Sequence, residues 1–168
     1  MGTQLPFEFN PELDLLLERT VDIPAEWIWQ AWTQPELLMP WFCPKPWSVT
    51  ECDIDLRPGG MFRTVMQSPE GEAMPAGEGC YLELVENRRL VWTSALLPGF
   101  RPAPSPAEGE FVFTAYLLLE PEGAGTRYTA AVVHQTAAAK AQHEAMGFHE
   151  GWGIALDQLV AFMKARHH

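Results

Sequence analysis

The stretch "AQHEAMGFHEGWGIALDQLVAFM", residues 141–163, decides the fold. Ala141, Ala145, Phe148, Trp152, Ala155, Leu159 and Phe162 recur at spacings of four and three, the period that aligns one face of an α-helix. A long C-terminal helix with one apolar face needs a second layer to bury it. Gly147, Gly151 and Gly153 interrupt the pattern. Each costs about 1 kcal/mol relative to Ala in a helix interior, which predicts a kink or a fresh start near residues 147–149.

The second layer comes from the residues upstream. Between Trp47 and Val133 the chain breaks into short apolar runs separated by Gly and Pro. They read as strands over 47–56, 61–66, 77–85, 88–95, 110–120 and 126–134. "LDLLLERTVDI" (residues 13–23) reads as a further strand, closed by Pro24. "PAEWIWQAW" and "PELLMPWF" then read as two short helices, the first ended by Pro35 and the second by Pro40. In "RPGG" (residues 57–60), Pro58 presets one turn position and Gly59 takes the positive φ of the next. "ENRR" and "EGAGT" make similarly short links, and short links favour antiparallel pairing. The Pro-rich "LLPGFRPAPSPAEG" (residues 96–109) is longer than a hairpin needs, as functional or mobile loops often are. The order is strand, two helices, six strands, one long helix: an α+β domain spanning residues 1–168, with a core over about 13–164.

Composition limits the function. Twenty-two acidic against eleven basic side chains give a formal charge of −11 in 168 residues. That balance opposes binding to nucleic acid or an anionic membrane surface. No run approaches the roughly 20 apolar residues of a membrane span. The start "MGTQLPFEFN" has neither the basic nor the apolar region of a secretory signal, and Pro6 stands where an acylation motif wants Ser or Thr. Cys43, Cys52 and Cys80 are odd in number and irregularly spaced, which suits free thiols in a reducing cytoplasm. The expected state is a cytoplasmic monomer or homodimer.

The motifs that suggest chemistry are weak. "HEAMGFHE" invites a zinc reading, but His143 and His149 are six residues apart, roughly 240° around a helix, and no CxxC completes a site. No metal or cofactor is expected. There is no GxSxG elbow, and Cys43 has no histidine close in sequence. Asp53, Asp55 and Arg57 share one face of a strand. They read as a solvated face, with Arg57 paired to Asp55 or Glu83, or as a polar anchor of a pocket. His134, between the last strand and the C-terminal helical region, is either a satisfied structural histidine or a polar pocket group. If it did chemistry, it would be a general base with Tyr128 or Glu78 beside it.

Several segments together resemble one family. Trp32-Thr33, Pro35-Glu36, Trp41-Phe42, "DIDLRPGG", "GEGCYLEL" followed by "RLVWT", "GAGTRYT" and "MGFHEGWGIALDQL" stand in the order found in the family related to the activator of the heat-shock-protein-90 ATPase. That family lies within the START-like, or SRPBCC, superfamily of polyketide cyclases and Bet v-like proteins. The resemblance runs from about Leu13 to Met163. It implies a helix-grip fold: a curved seven-stranded antiparallel sheet around the C-terminal helix, two short helices after the first strand, and a cavity between sheet and helix. Superfamily members bind lipids, sterols, polyketides, hormones or aromatic substrates there, and some catalyse cyclisation or hydration. A chain of this length leaves no room for the separate chaperone-binding domain of the eukaryotic co-chaperone, so chaperone activation does not follow from the fold.

In such a fold "WFCPKPW" (residues 41–47) falls near one mouth of the cavity. Trp41, Phe42 and Trp47 are either core or pocket wall, and Pro44 and Pro46 favour a rim. Met66, Trp92, Phe113 and Trp152 are further candidate lining, with His134 as a polar group. The 96–109 loop would frame the same entrance. The expected function is binding of a small hydrophobic or aromatic molecule, as carrier, sensor or sequestering protein. A cyclase- or hydratase-like enzyme in the same cavity is the alternative, as is a protein-interaction role with a chaperone or another protein.

Overall fold

The computed structural model describes residues 4–167. Met1–Thr3, part of the segment read for a signal or acyl site, and His168 lie outside the described residues. The strands are β1 (Asp14–Val21), β2 (Ser48–Ile54), β3 (Met61–Gln67), β4 (Gly77–Val85), β5 (Arg89–Thr93), β6 (Leu96–Leu97), β7 (Arg101–Pro102), β8 (Phe113–Glu122) and β9 (Gly125–His134). The helices are α1 (Ala25–Thr33), α2 (Pro35–Leu38), α3 (Ala137–Ala145) and α4 (Phe148–Arg166). Seven strands form one antiparallel sheet in the order β1-β9-β8-β5-β4-β3-β2, and β6 and β7 form a separate hairpin. This is the helix-grip arrangement, with α4 packed against the sheet and α1.

Each element has a local cause. Pro24 leads into α1, whose Ile28, Trp29, Ala31 and Trp32 are buried. Gln34 sits extended before Pro35, so the helix stops and α2 begins. In the 57–60 turn Gly59 has φ +84°, and Gly60 lies so close to the Asp55 carbonyl that a Cβ would stand 1.9 Å from its oxygen. Only glycines make that turn without moving β2 or β3.

The C-terminal stripe is two helices rather than one. Thr136 caps α3, its Oγ1 accepting from the Ala139 N–H at 3.1 Å. Gly147, at φ +91°, then redirects the chain into α4. Because the turn breaks the helical phase, Ala141 and Ala145 are exposed rather than part of the buried face. In α4 the buried positions are Phe148, Ala155, Leu156, Leu159 and Met163. The 96–109 loop also departs from expectation. It carries the β6–β7 hairpin and is pinned to the 57–60 turn, Gly99 N–H donating to the Gly59 carbonyl at 2.7 Å with the Phe100 ring over Gly59.

Candidate ligand cavity

A cavity of about 450 Å³ lies between α4 and the concave side of the sheet. The sheet contributes Phe62, Thr64 and Met66 from β3, Trp92 from β5, Phe113 from β8 and Tyr128 from β9. The helices contribute Trp32, His143, Phe148, Trp152 and Ala155. The exposed Met146 and Glu78 mark where it reaches solvent.

The aromatic wall is one connected cluster. Trp32 meets Trp41 at 5.1 Å and Trp92 at 5.3 Å between ring centroids. Phe62 stands edge-on to Trp92 at 5.2 Å, and Trp152 stacks parallel to Trp92 at 6.4 Å. Such pairs are worth about 0.5–1.5 kcal/mol each beyond the area they bury, so the wall is held in shape by its own contacts.

The 41–47 segment is both wall and core. Trp41 is buried, and Trp41, Phe42, Cys43 and Pro44 line the cavity. One side chain of α4 fastens the segment. Gln158 Nε2 donates to the carbonyls of Trp41 at 3.0 Å and Cys43 at 2.9 Å, and its Oε1 accepts from the Lys45 N–H at 3.0 Å. Trp47 is outside. The Trp47 N–H closes a turn on the Pro44 carbonyl at 3.0 Å, which sends the chain into β2 with the indole 39% exposed.

Six of the eight residues expected to line a pocket therefore do so: Trp41, Phe42, Met66, Trp92, Phe113 and Trp152. Trp47 does not, and neither does His134. His134 is buried one layer behind the wall. Its Nδ1 lies 2.8 Å from the Leu13 carbonyl oxygen and its Nε2 lies 2.9 Å from His143 Nδ1. His143 is the histidine that reaches the cavity. Burial holds both imidazoles below the ordinary value, His143 at about 4 with the neighbouring His134 adding to the effect. Tyr128 and Glu78 line the cavity, but His134 is turned to His143 and Leu13 instead.

Lining residues outside that expectation include Trp32, Phe62, Phe148 and His143. Phe62 alternates with Thr64 and Met66 along β3, a period-two signal that placed only Met66. His143 stands six residues from His149, but its partner is His134, from the sheet. The polar face of β2 is a solvated one: Arg57 Nε meets Asp55 at 2.8 Å, and Arg63 bridges Glu51 at 3.1 Å and Asp53 at 2.9 Å. Glu83 pairs with Arg89 instead, at 2.9 Å. The 96–109 loop contributes nothing to the lining. All three cysteines are free thiols. Burial pushes the Cys43 thiol up, and burial together with Asp53 and Glu36 pushes Cys52 up to about 11. No helix among the described residues is long and apolar enough to cross a membrane.

Comparison with known proteins agrees with this architecture. A protein from Nitrosomonas europaea with a solved crystal structure is 47% identical, with 95% of this chain and 99% of that chain covered and a TM-score of 0.89. A Mycobacterium smegmatis protein is 28% identical over 94% of each chain, with a TM-score of 0.74. A Rhodobacter sphaeroides protein, 24% identical over 96% of this chain and 99% of that chain, superposes with a TM-score of 0.79. No curated protein matches the chain. The family profile described as activator of Hsp90 ATPase homolog 1-like protein matches residues 22–164. With that match over most of its length, the chain belongs to the activator of Hsp90 ATPase homolog 1-like family.

Proposed function

We propose that the protein binds a small hydrophobic or aromatic molecule in the cavity between α4 and the sheet, acting in the cytoplasm as a carrier, sensor or sequestering protein. The observation that carries this reading is the cavity of about 450 Å³ with a mostly apolar, aromatic-rich wall. That volume lies in the range of about 300–1,000 Å³ typical of small-molecule sites, and the wall offers apolar area with few polar groups to fix orientation. A tightly packed core of this size would close such a space, because interiors tolerate few voids larger than a water molecule.

Native mass spectrometry of freshly purified protein, followed by titration with fatty acids, sterols and polyphenols, tests the reading. A stoichiometric adduct released on denaturation supports it and gives the ligand class. An apo mass unchanged across the library counts against a carrier and shifts the weight to a protein-binding role.

A further inference from the structure

The histidine pair fixes which nitrogen of each ring carries the proton. A carbonyl oxygen can only accept, so His134 Nδ1, 2.8 Å from the Leu13 oxygen, carries the proton. Neutral His134 then presents a bare Nε2. His143 Nδ1, 2.9 Å away, must donate to it. Neutral His143, a lining residue of the cavity, is left with its lone pair on Nε2, which has no hydrogen-bond partner among the described residues. The rings of Phe113 at 5.2 Å and Phe148 at 5.3 Å hold the imidazole in place.

The other donors of the wall are neutral, among them the indole N–H groups of Trp32 and Trp41, which are buried without a partner. Ser94 Oγ is occupied by the Phe113 backbone, accepting from its N–H at 3.0 Å. Thr64 is neutral, Glu78 at the opening is an acceptor, and none of the lining residues is Lys or Arg. A carboxylate or phosphate would enter with nothing to neutralise it and would face a lone pair. Resting on the cavity reading above, we propose that His143 Nε2 is a fixed hydrogen-bond acceptor in the wall, and that the ligand is an uncharged apolar molecule carrying a hydroxyl or N–H donor, such as a phenol.

The test uses naphthol, methylnaphthalene and naphthoate as probes, which share one ring system and differ in donor, methyl or carboxylate. Their affinities are measured by calorimetry on the wild-type protein and on His143→Phe, which keeps an aromatic ring and removes the acceptor. The expected result is binding of naphthol and not naphthoate by the wild type. The preference for naphthol over methylnaphthalene should fall about tenfold in the variant, on the order of one hydrogen bond. Side-chain nitrogen NMR of the wild type should show His143 protonated on Nδ1 and bare on Nε2 at neutral pH, a readout that stands even where His143→Phe does not fold. Naphthoate binding as tightly as naphthol, an unchanged preference in folded His143→Phe, or the opposite tautomer overturns the proposal and leaves the cavity reading intact. If none of the three probes binds, the cavity reading falls and the proposal falls with it.

Discussion

Removing the Gln158 side chain, which is not itself part of the cavity lining, should loosen the aromatic segment it holds. Gln158 makes three hydrogen bonds to the backbone of residues 41–45, two donated and one accepted. A protein hydrogen bond contributes about 0.5–1.5 kcal/mol net. The bond to Lys45 is exposed and the other two are partly buried, which places Gln158→Ala near the lower part of the summed range, at about 2 kcal/mol. For a chain of this size that corresponds to a fall in melting temperature of about 4–8 °C. Gln158→Glu separates donors from acceptor: it keeps the acceptor for Lys45 but turns a carboxylate on two carbonyl oxygens, so near neutral pH it should be worse than Ala. Urea unfolding gives the stability, and amide exchange at Lys45 gives the local effect, since its protection depends on Oε1. A Gln158→Ala variant within about 0.5 kcal/mol of wild type, with Lys45 still protected, would refute the reasoning.

Three further outcomes follow from the same geometry. His143 is held at about 4, below its ordinary 6.5, so the unfolded chain binds a proton before the folded one does; stability should be fully present above about 6.5 and fall as pH drops toward 4. Full loss across that window is about 3 kcal/mol, and urea midpoints against pH should show a flatter acid limb in His143→Phe; Asp14 and Lys140, which act on His134, bias the pair in opposite directions. Gly60→Ala would set a Cβ 1.9 Å from the Asp55 carbonyl oxygen, whereas Gly151 in α4 has open space, so the first should lose about 2–3 kcal/mol and the second gain up to about 1 kcal/mol, and equal effects in denaturation would discard the steric account. Trp152→Ala removes the ring stacked on Trp92 but only half buried, so stability should fall by less than the roughly 3–5 kcal/mol of a fully buried tryptophan while naphthol affinity drops at least about tenfold; retained affinity in a folded variant would remove Trp152 from the binding wall.

Local pattern made most of the fold legible. Strand periodicity located all seven strands of the main sheet, because a residue's face in a strand follows from the residue two positions away. The Gly59–Gly60 turn and the break at Gly147 were legible for the same reason: each is a backbone requirement that a glycine meets on its own. Six side chains that the pattern and a family resemblance named together stand along the cavity.

What the sequence alone determined is therefore the order of the main elements, the places of the seven main strands and the family. The tertiary structure decided the rest, because it depends on which groups from distant segments meet. The turn at Pro44 put Trp47 in solvent while Trp41, six residues earlier, went inside. The direction α3 takes before the Gly147 turn left Ala141 and Ala145 exposed, although they share the period of the α4 face. Pairing of β1 with β9 brought the Leu13 carbonyl to His134, and the fold of α3 back onto β9 brought His143 to the other nitrogen of the same ring. No spacing in the chain encodes that contact, since hydrogen bonds between side chains are set by packing in three dimensions.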